Sequence, residues 1–237
     1  MSDGRLEDRL APLAVLADPV RRALYQFVVT QPAPIGRDAA AIGIGVAHHV
    51  AKFHLDKLVD EGLLDVEYRR PPGRGGPGAG RPAKLYRRSG RELDVTVPER
   101  RYELAGRLLA RAVNDAQRDN VPVGKALDRA ATEAGRALGD DVRQRVGRRP
   151  TRTKLLAGAS EVLAEHGYDP RVDHDSITLT NCPFHRLAQD YTELVCGMNQ
   201  CLLDAMVDEA DPEHRTRLEA VLDPSPERCC VRVTPGS

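Results

Sequence analysis

The sequence predicts a mainly α-helical protein with small β elements, arranged as an N-terminal domain followed by an α+β domain. The chain has 237 residues, which is more than one minimal domain needs. It contains no Trp and only three Phe, so Leu, Val and Ala must form most of the core, as suits a largely helical protein. Apolar residues recur mainly at helical spacing, and period-two alternation is confined to short stretches.

Charge is distributed unevenly along a chain whose formal net charge is zero. Residues 1–91 hold 15 Lys and Arg against 10 Asp and Glu, so this part has a net charge of +5 and the remainder has −5. Such asymmetry is typical of a protein whose N-terminal half contacts nucleic acid. The first twenty residues lack the apolar core of a signal peptide, and no apolar run approaches the ~18–20 residues that span a bilayer. We therefore expect a cytoplasmic protein with no membrane segment.

Three helices are predicted within the first 62 residues. Asp18 and Pro19 are a typical N-cap and first-turn proline, and apolar residues continue at helical spacing over 20–30. An Ala-rich stretch, 36–43, predicts a short second helix closed by its final glycine. The third helix is predicted over 46–61, where apolar residues recur at helical spacing before another glycine.

A two-stranded hairpin is predicted after the third helix. Residues 64–68 alternate in a strand-like pattern, and 83–88 are predicted to return as the second strand. The connection, 70–82, contains five glycines and four prolines and cannot hold regular structure. Three helices followed by a hairpin predict a winged helix-turn-helix over residues 1–91, which is a DNA-binding fold.

Candidate DNA contacts lie in the third helix and in the hairpin. The helix carries His48, His49 and Lys52 near its N-terminus, where a recognition helix meets the edges of bases. An ordinary solvated face is the alternative interpretation. No acidic residue occurs from position 68 to position 90, and a glycine-rich loop with several arginines can follow a phosphate backbone or enter a minor groove. The candidate contacts there are Arg69, Arg70, Arg74, Arg81 and Lys84, and a solvated loop that is disordered until DNA binds is the alternative.

The rest of the chain is predicted to be helical first and mixed later. The predicted helices are 100–118, 123–138, 152–166 and 183–209, and the predicted strands are 176–180 and 229–233. The apolar stripe of the first of these helices is wider than one small domain needs. Residues 92–150 are therefore expected to form a helical linker and dimerisation region, and residues 151–237 an α+β domain that contains the cysteines.

All five cysteines lie beyond residue 180. In a reducing compartment such a group indicates metal binding or thiol chemistry more than a disulfide framework. Thiolates are the usual ligands of iron–sulfur clusters and of structural zinc, although these spacings match neither a zinc finger nor a bacterial ferredoxin. Cys201 is expected to pack in the apolar stripe of its helix. Cys229 and Cys230 must point to opposite faces of a strand, with Cys229 inward.

Helix geometry limits how Cys182 and Cys196 can meet. A continuous helix from residue 186 would carry Cys196 ~15 Å along its axis, too far to share a site with Cys182. Asp190 and Glu193 form a plausible N-cap pair, so we expect the helix to break near residue 190 and restart. Cys196 would then lie in the first turns of a new helix, where the helix dipole favours a thiolate.

Two groups of residues resemble a known family. Residues 53–64, FHLDKLVDEGLL, followed by Gly80-Arg81-Pro82 and Tyr86, resemble the winged helices of ArsR-like bacterial repressors, and the wing is similar to that of the SufR family. Residues 181–184, NCPF, with Cys196 and Cys229, resemble the same family, so that the likeness extends over nearly the whole chain. The resemblance implies a repressor that binds an inverted repeat as a homodimer, with residues 100–118 as the first candidate for the dimer helix.

The resemblance also implies a cofactor. Members of the SufR family bind a [4Fe–4S] cluster in this domain and sense iron–sulfur or redox status through it. By that resemblance Cys182, Cys196 and Cys229 would be three ligands, with His185 as the nearest candidate for the fourth. A helix-start histidine that bonds only to backbone is the alternative for His185, and Cys201 and Cys230 depart from many relatives.

Two competing functions use the same sequence. In the first, zinc or thiol oxidation replaces the cluster and DNA binding is kept. In the second, the C-terminal domain is an enzyme or a small-molecule pocket. No nucleophile elbow, phosphate-binding glycine loop or metalloprotease motif is present, so we expect that the protein is not an enzyme.

Overall fold

The computed structural model describes residues 10–70, 82–225 and 228–236. Helices predominate in these ranges and are accompanied by two small antiparallel sheets. The predicted class, mainly α with small β, is confirmed. The chain divides into two compact units, Met1–Val95 and Thr96–Ser237. The expected linker region 92–150 therefore falls almost wholly inside the second unit, because its helices share one core with residues 151–237.

Within residues 19–70 and 82–95, unit 1 contains three helices and a three-stranded sheet, and residues 10–15 before them are also helical. In chain order its elements are α1 (Pro19–Val29), β1 (Ile35–Gly36), α2 (Arg37–Ile44), α3 (His48–Asp60), β2 (Leu64–Arg69) and β3 (Ala83–Arg88). The strand order is β1-β3-β2, with Val66 opposite Tyr86 in the β2–β3 pair. Strand β1 was not predicted, because two residues are too short to show alternation.

Local sequence explains where these helices begin and end. The Asp18 carboxylate accepts a hydrogen bond from the backbone N–H of Arg21 at 2.9 Å and caps α1, as predicted. Helix α2 ends at Gly45, which has a left-handed φ of 72°, and the prediction of Gly43 was wrong. Gly43 is needed for another reason, because a Cβ there would collide with the ring of Phe27.

Helix α3 is held by the core of unit 1. Its Ala51, Leu55 and Leu58 are fully buried, and they pack in one cluster with Leu24 of α1 and Tyr86 of β3. Because the three α3 residues follow helical spacing, they mark a single inner face. This packing fixes which side chains of α3 point away from the protein.

Unit 2 contains five helices and a four-stranded sheet within the described ranges. In chain order its elements are α4 (Tyr102–Asp119), α5 (Val123–Val146), α6 (Arg152–Glu165), β4 (Pro170–Asp173), β5 (Ser176–Leu179), α7 (His185–Asp190), α8 (Thr192–Ala210), β6 (Leu218–Leu222) and β7 (Val231–Pro235). The strand order is β4-β5-β7-β6, all antiparallel. Strands β4 and β6 were not predicted, and the terminal strand begins at Val231 rather than at residue 229.

Helices α5 and α8 pack with their backbones close together. A Cβ at Gly135 would collide with the carbonyl oxygen of Leu202, and a Cβ at Gly139 with that of Met206. Glycine at these two positions therefore permits the contact. Helix α5 continues through Gly139 to Val146, beyond the predicted end at residue 138, because tertiary packing offsets the weak helix propensity of glycine there.

The apolar stripe of α4 is used inside unit 2. Ala105, Leu108, Ala112 and Ala116 are buried in the core, whereas Val113 is 47% exposed. The width of the stripe is thus largely explained by packing within the unit. No helix within the described ranges is long and apolar enough to cross a membrane.

Candidate functional site

The outer face of α3, defined here by His49, Lys52 and Phe53, is the most exposed part of that helix. At roughly 100° of rotation per residue, His49 and Phe53 lie opposite the inner face formed by Ala51 and Leu55. All three outer-face side chains are exposed, and the ring of Phe53 is 66% exposed. A helix that presents imidazole, ammonium and aromatic groups in one row can contact both base edges and phosphates.

The third predicted helix contact, His48, is placed differently. Its Nε2 lies 2.7 Å from Oδ1 of Asp38, which belongs to α2. His48 therefore links the start of α3 to the preceding helix, whereas no such contact with a carboxylate is found for His49 or Lys52 among the described residues.

Strand β3 is tied to α3 through one carboxylate. Asp56 accepts hydrogen bonds from Lys84 Nζ at 2.5 Å and from Tyr86 OH at 2.9 Å, both at the same oxygen. Lys84 was predicted to contact DNA, but in the structure its charge is engaged by Asp56. Its role is to hold the hairpin against α3.

The pKa values of this group reflect the same contacts. Partial burial acts to raise the pKa of Asp56, but the hydrogen bonds from Lys84 and Tyr86 outweigh it and hold the pKa below its usual value. Partial burial acts to lower the pKa of Lys84, and the Asp56 carboxylate outweighs it, so that this pKa is raised. Both groups are therefore held in their charged forms near neutral pH.

The four hairpin arginines predicted to contact DNA differ in their surroundings. Arg69 is ion-paired with Glu67, whereas Arg70 is exposed at the end of β2. Arg74 and Arg81 lie outside the described residues. Arg70 is thus, of the predicted hairpin contacts that the structure describes, the one for which no ion pair is found among the described residues.

We predict that Asp56→Ala lowers the free energy of unfolding by about 2 kcal/mol, because it leaves the buried Tyr86 hydroxyl without its acceptor. Since the pKa of Asp56 is lowered on folding, its contribution is present above the unfolded pKa of about 3.9 and is lost as pH falls through the folded value. Urea denaturation at pH 7 and pH 3 measures both effects. Asp60→Ala, at an exposed site on the same helix, is the control. Equal unfolding of D56A and wild type at pH 7 would contradict the prediction.

The second candidate site is a set of four cysteines in unit 2. Cys182, in the loop after β5, and Cys229, before β7, are buried and their thiols share a hydrogen bond. Cys196, early in α8, is bonded to Cys230 as a disulfide with a Cα–Cα distance of 6.4 Å. The helix does break at Tyr191, as predicted near residue 190, and the break places Cys196 in the second turn of α8.

This pairing differs from two sequence expectations. Cys196 was expected to join Cys182 and Cys229, but its partner is Cys230. The cysteines were expected to bind metal or act as thiols rather than form disulfides, yet one disulfide is present. The faces of the last pair are as predicted, with Cys229 buried and Cys230 half-exposed.

A buried amide lies against the sulfur of Cys229. Tyr168 OH donates a hydrogen bond to Oδ1 of Asn199 at 2.5 Å, and Nδ2 of the same amide donates to Cys229 Sγ at 3.4 Å. In this orientation the amide accepts from the hydroxyl through its oxygen and presents its N–H groups to the sulfur. Asn199 follows Cys196 by almost one turn of α8, so both side chains face the segment that contains Cys229 and Cys230.

The two free thiols of this site differ in acidity. The hydrogen bond from the Cys229 thiol, together with the backbone N–H of Phe184 and the charge of Arg100, lowers the pKa of Cys182 despite its burial. The same hydrogen bond and burial raise the pKa of Cys229. Cys182 is therefore the more nucleophilic of the pair.

His185 and Cys201 belong to neither cysteine pair. His185 is exposed, and its backbone N–H donates to the carbonyl of Cys182 at 3.1 Å. Cys201 packs against the core of unit 2, as expected, although it is only half-buried, and its thiol lies 3.7 Å from Oδ1 of Asp128.

The four cysteines form two pairs and not one group around a common centre. Over residues 10–70, 82–225 and 228–236, no group of three or more His, Cys, Asp or Glu side chains is disposed to hold a metal. Thiolates are the usual ligands of iron–sulfur clusters, but these cysteines form two separate pairs, Cys182 with Cys229 and Cys196 with Cys230. The [4Fe–4S] ligand set of Cys182, Cys196 and Cys229 thus stays a prediction.

Sequence reasoning missed three residues of these sites. Asn199 and Tyr168 gave no signal, because a single amide and a single phenol in apolar stretches look like ordinary core residues. Asp56 was visible as an acidic residue in a helix otherwise expected to face DNA. Comparison of the chain with protein-family models, with curated proteins and with solved structures found no match.

We predict that air-exposed protein, unfolded without reductant, has three titratable thiols and that reduction raises the number to five. In the native state Cys201 should be alkylated first, since Cys182 and Cys229 are buried, although burial and the Asp128 carboxylate raise the pKa of its thiol. Mass spectrometry after alkylation identifies the sites, and Cys201→Ser should lose only the fast reaction. Five thiols before reduction would contradict the pairing.

Proposed function

We propose that the protein is a DNA-binding transcriptional regulator and that unit 1 is a winged helix-turn-helix. The observation that carries the proposal is the outer face of α3, which is exposed, cationic and held rigidly by the core on its opposite side. Helices α2 and α3 would form the helix-turn-helix, and β2 and β3 the wing. Asp56 would keep the wing at a fixed position relative to the recognition helix through Lys84 and Tyr86.

The predicted mode of binding follows from this arrangement. His49 and Lys52 would reach base edges in the major groove, and Arg70 would meet the phosphate backbone beside it. A homodimer would place two recognition helices on an inverted repeat, about 34–36 Å apart, and would act as a repressor in the cytoplasm.

We further propose that the cysteines of unit 2 control DNA binding by thiol oxidation. The pairing of Cys196 with Cys230 supports this mechanism, because it joins α8 covalently to the segment before β7. Formation of that bond from two thiols by a peroxide releases two waters, so the peroxide accepts the two electrons. Since α8 contacts the backbone of α5 at Gly135 and Gly139, a shift of α8 would be transmitted to α5 and to α4 packed on it.

The [4Fe–4S] cluster expected from the sequence is the competing mechanism, with zinc as a further alternative. Cys182, Cys196 and Cys229 would be its thiolate ligands. The resemblance to the SufR family supports it, whereas the observed pairing of the cysteines favours thiol chemistry. Both mechanisms keep the same DNA-binding unit and the same sensor domain.

The DNA-binding proposal predicts a charge-specific effect of Arg70→Ala. We expect binding to a duplex selected from a random library to weaken, and the slope of log K against log salt to decrease by about one, because one phosphate contact is lost. Fluorescence anisotropy at several salt concentrations gives the slope. Lys125→Ala, at an exposed site in unit 2, removes the same charge and should leave the slope unchanged. A protein that selects no duplex would contradict the proposed function.

The regulatory proposal predicts a roughly 5–150-fold difference in affinity between protein reduced without oxygen and protein oxidised with hydrogen peroxide. Cys230→Ser should abolish the difference, and Cys201→Ser should keep it. A visible spectrum of the anaerobic sample separates the mechanisms. A broad visible band with about four irons per chain would favour the cluster over the thiol mechanism. A colourless protein with equal affinity in both states would contradict both.

A further inference from the structure

Phe53 is an aromatic side chain that the core of unit 1 does not use. Its ring is 66% exposed, and it does not belong to the buried cluster or to the partly buried residues packed on that cluster. The ring meets that of His54 edge to face, with 5.2 Å between the centroids. Folding therefore leaves most of this apolar surface in water, and its burial against a partner would be favourable.

The position of Phe53 indicates which partner covers it. Phe53 follows His49 by four residues and lies next to Lys52, so it stands in the row of polar and cationic groups on the outer face of α3. It is opposite the buried Ala51 and Leu55, which makes it part of the surface that a recognition helix turns toward DNA. A surface of this charge suits a nucleic acid better than an apolar protein partner.

We propose that Phe53 determines specificity by packing against the C5-methyl group of a thymine in the major groove. The inference rests on the proposed DNA-binding function. A phenyl ring has no donor or acceptor for the hydrogen-bonding pattern of the bases, and the thymine methyl is the apolar group that the major groove displays. Phe53 therefore selects thymine at one position of each half-site, while His49 and Lys52 contact neighbouring polar groups.

Replacement of thymine by deoxyuridine tests this contact, because it removes the methyl group and leaves base pairing intact. Wild-type protein first selects a duplex from a random library, and each thymine of that duplex is then replaced singly by deoxyuridine. We expect one position per half-site at which affinity falls roughly fourfold, the effect of one buried methyl group. In Phe53→Ala the ratio of the two affinities at that position should fall to about one.

Two further variants separate this contact from a general loss of binding. Phe53→Leu keeps an apolar side chain and should retain part of the thymine preference. Lys52→Ala should weaken binding to both duplexes by the same factor and leave their ratio unchanged. Since Phe53 is exposed, Phe53→Ala should unfold at the same urea concentration as wild type.

Two outcomes would overturn the inference and leave the proposed function standing. In the first, wild type selects a duplex but tolerates deoxyuridine at every position. In the second, the deoxyuridine penalty persists unchanged in Phe53→Ala. A protein that selects no duplex at all overturns the proposed function, and the role of Phe53 falls with it.

Discussion

The contact between α5 and α8 is the constraint on which the cysteine site depends. Gly135 and Gly139 let the two helix backbones approach within the space that a methyl group would occupy, so α8 has one position relative to the core. Cys196 and Asn199 both lie on α8, and each meets a partner from the segment before β7. The disulfide and the amide–sulfur hydrogen bond are thus made by a helix whose position is set by its packing against α5.

In unit 1, a charged and hydrogen-bonded group rather than close backbone packing fixes the hairpin relative to α3. Helix α3 is seated by small and branched apolar residues, which fix its rotation, and Asp56 then holds β3 through Lys84 and Tyr86. Lys84, which the sequence predicted as a DNA contact, is paired with Asp56 in this arrangement. Lys52 on the helix and Arg70 just after β2 are among the exposed cationic groups of the described residues, and the exposed Phe53 adds apolar surface beside the histidine and the lysine.

The two sites differ in how far the sequence predicted them. Helical spacing placed α3 and its outer face correctly, because an inner face of Ala51, Leu55 and Leu58 determines the outer one. The break near residue 190 was also predicted, although Tyr191 and not Asp190 is the N-cap of α8 and no side chain caps that helix. The partner of Cys196 was not predictable. Cys229 and Cys230 are adjacent in the sequence, and the direction of their side chains decides which of the two meets Cys196. Asn199 and Tyr168 are 31 residues apart in the sequence, and no local sequence pattern predicts a hydrogen bond between residues so far apart.

The sequence by itself determined the class of the fold, the order of most elements and the inner and outer faces of α3, because periodicity and turn residues act over a few positions. It did not determine the very short strand β1, the edge strands β4 and β6 or the end of α5, since long-range pairing and helix contact decide these. Only the tertiary structure decided that Lys84 is engaged by Asp56 and that Cys196 meets Cys230 rather than Cys182. These choices depend on distances between segments far apart in the chain, which are set by how the helices and sheets pack.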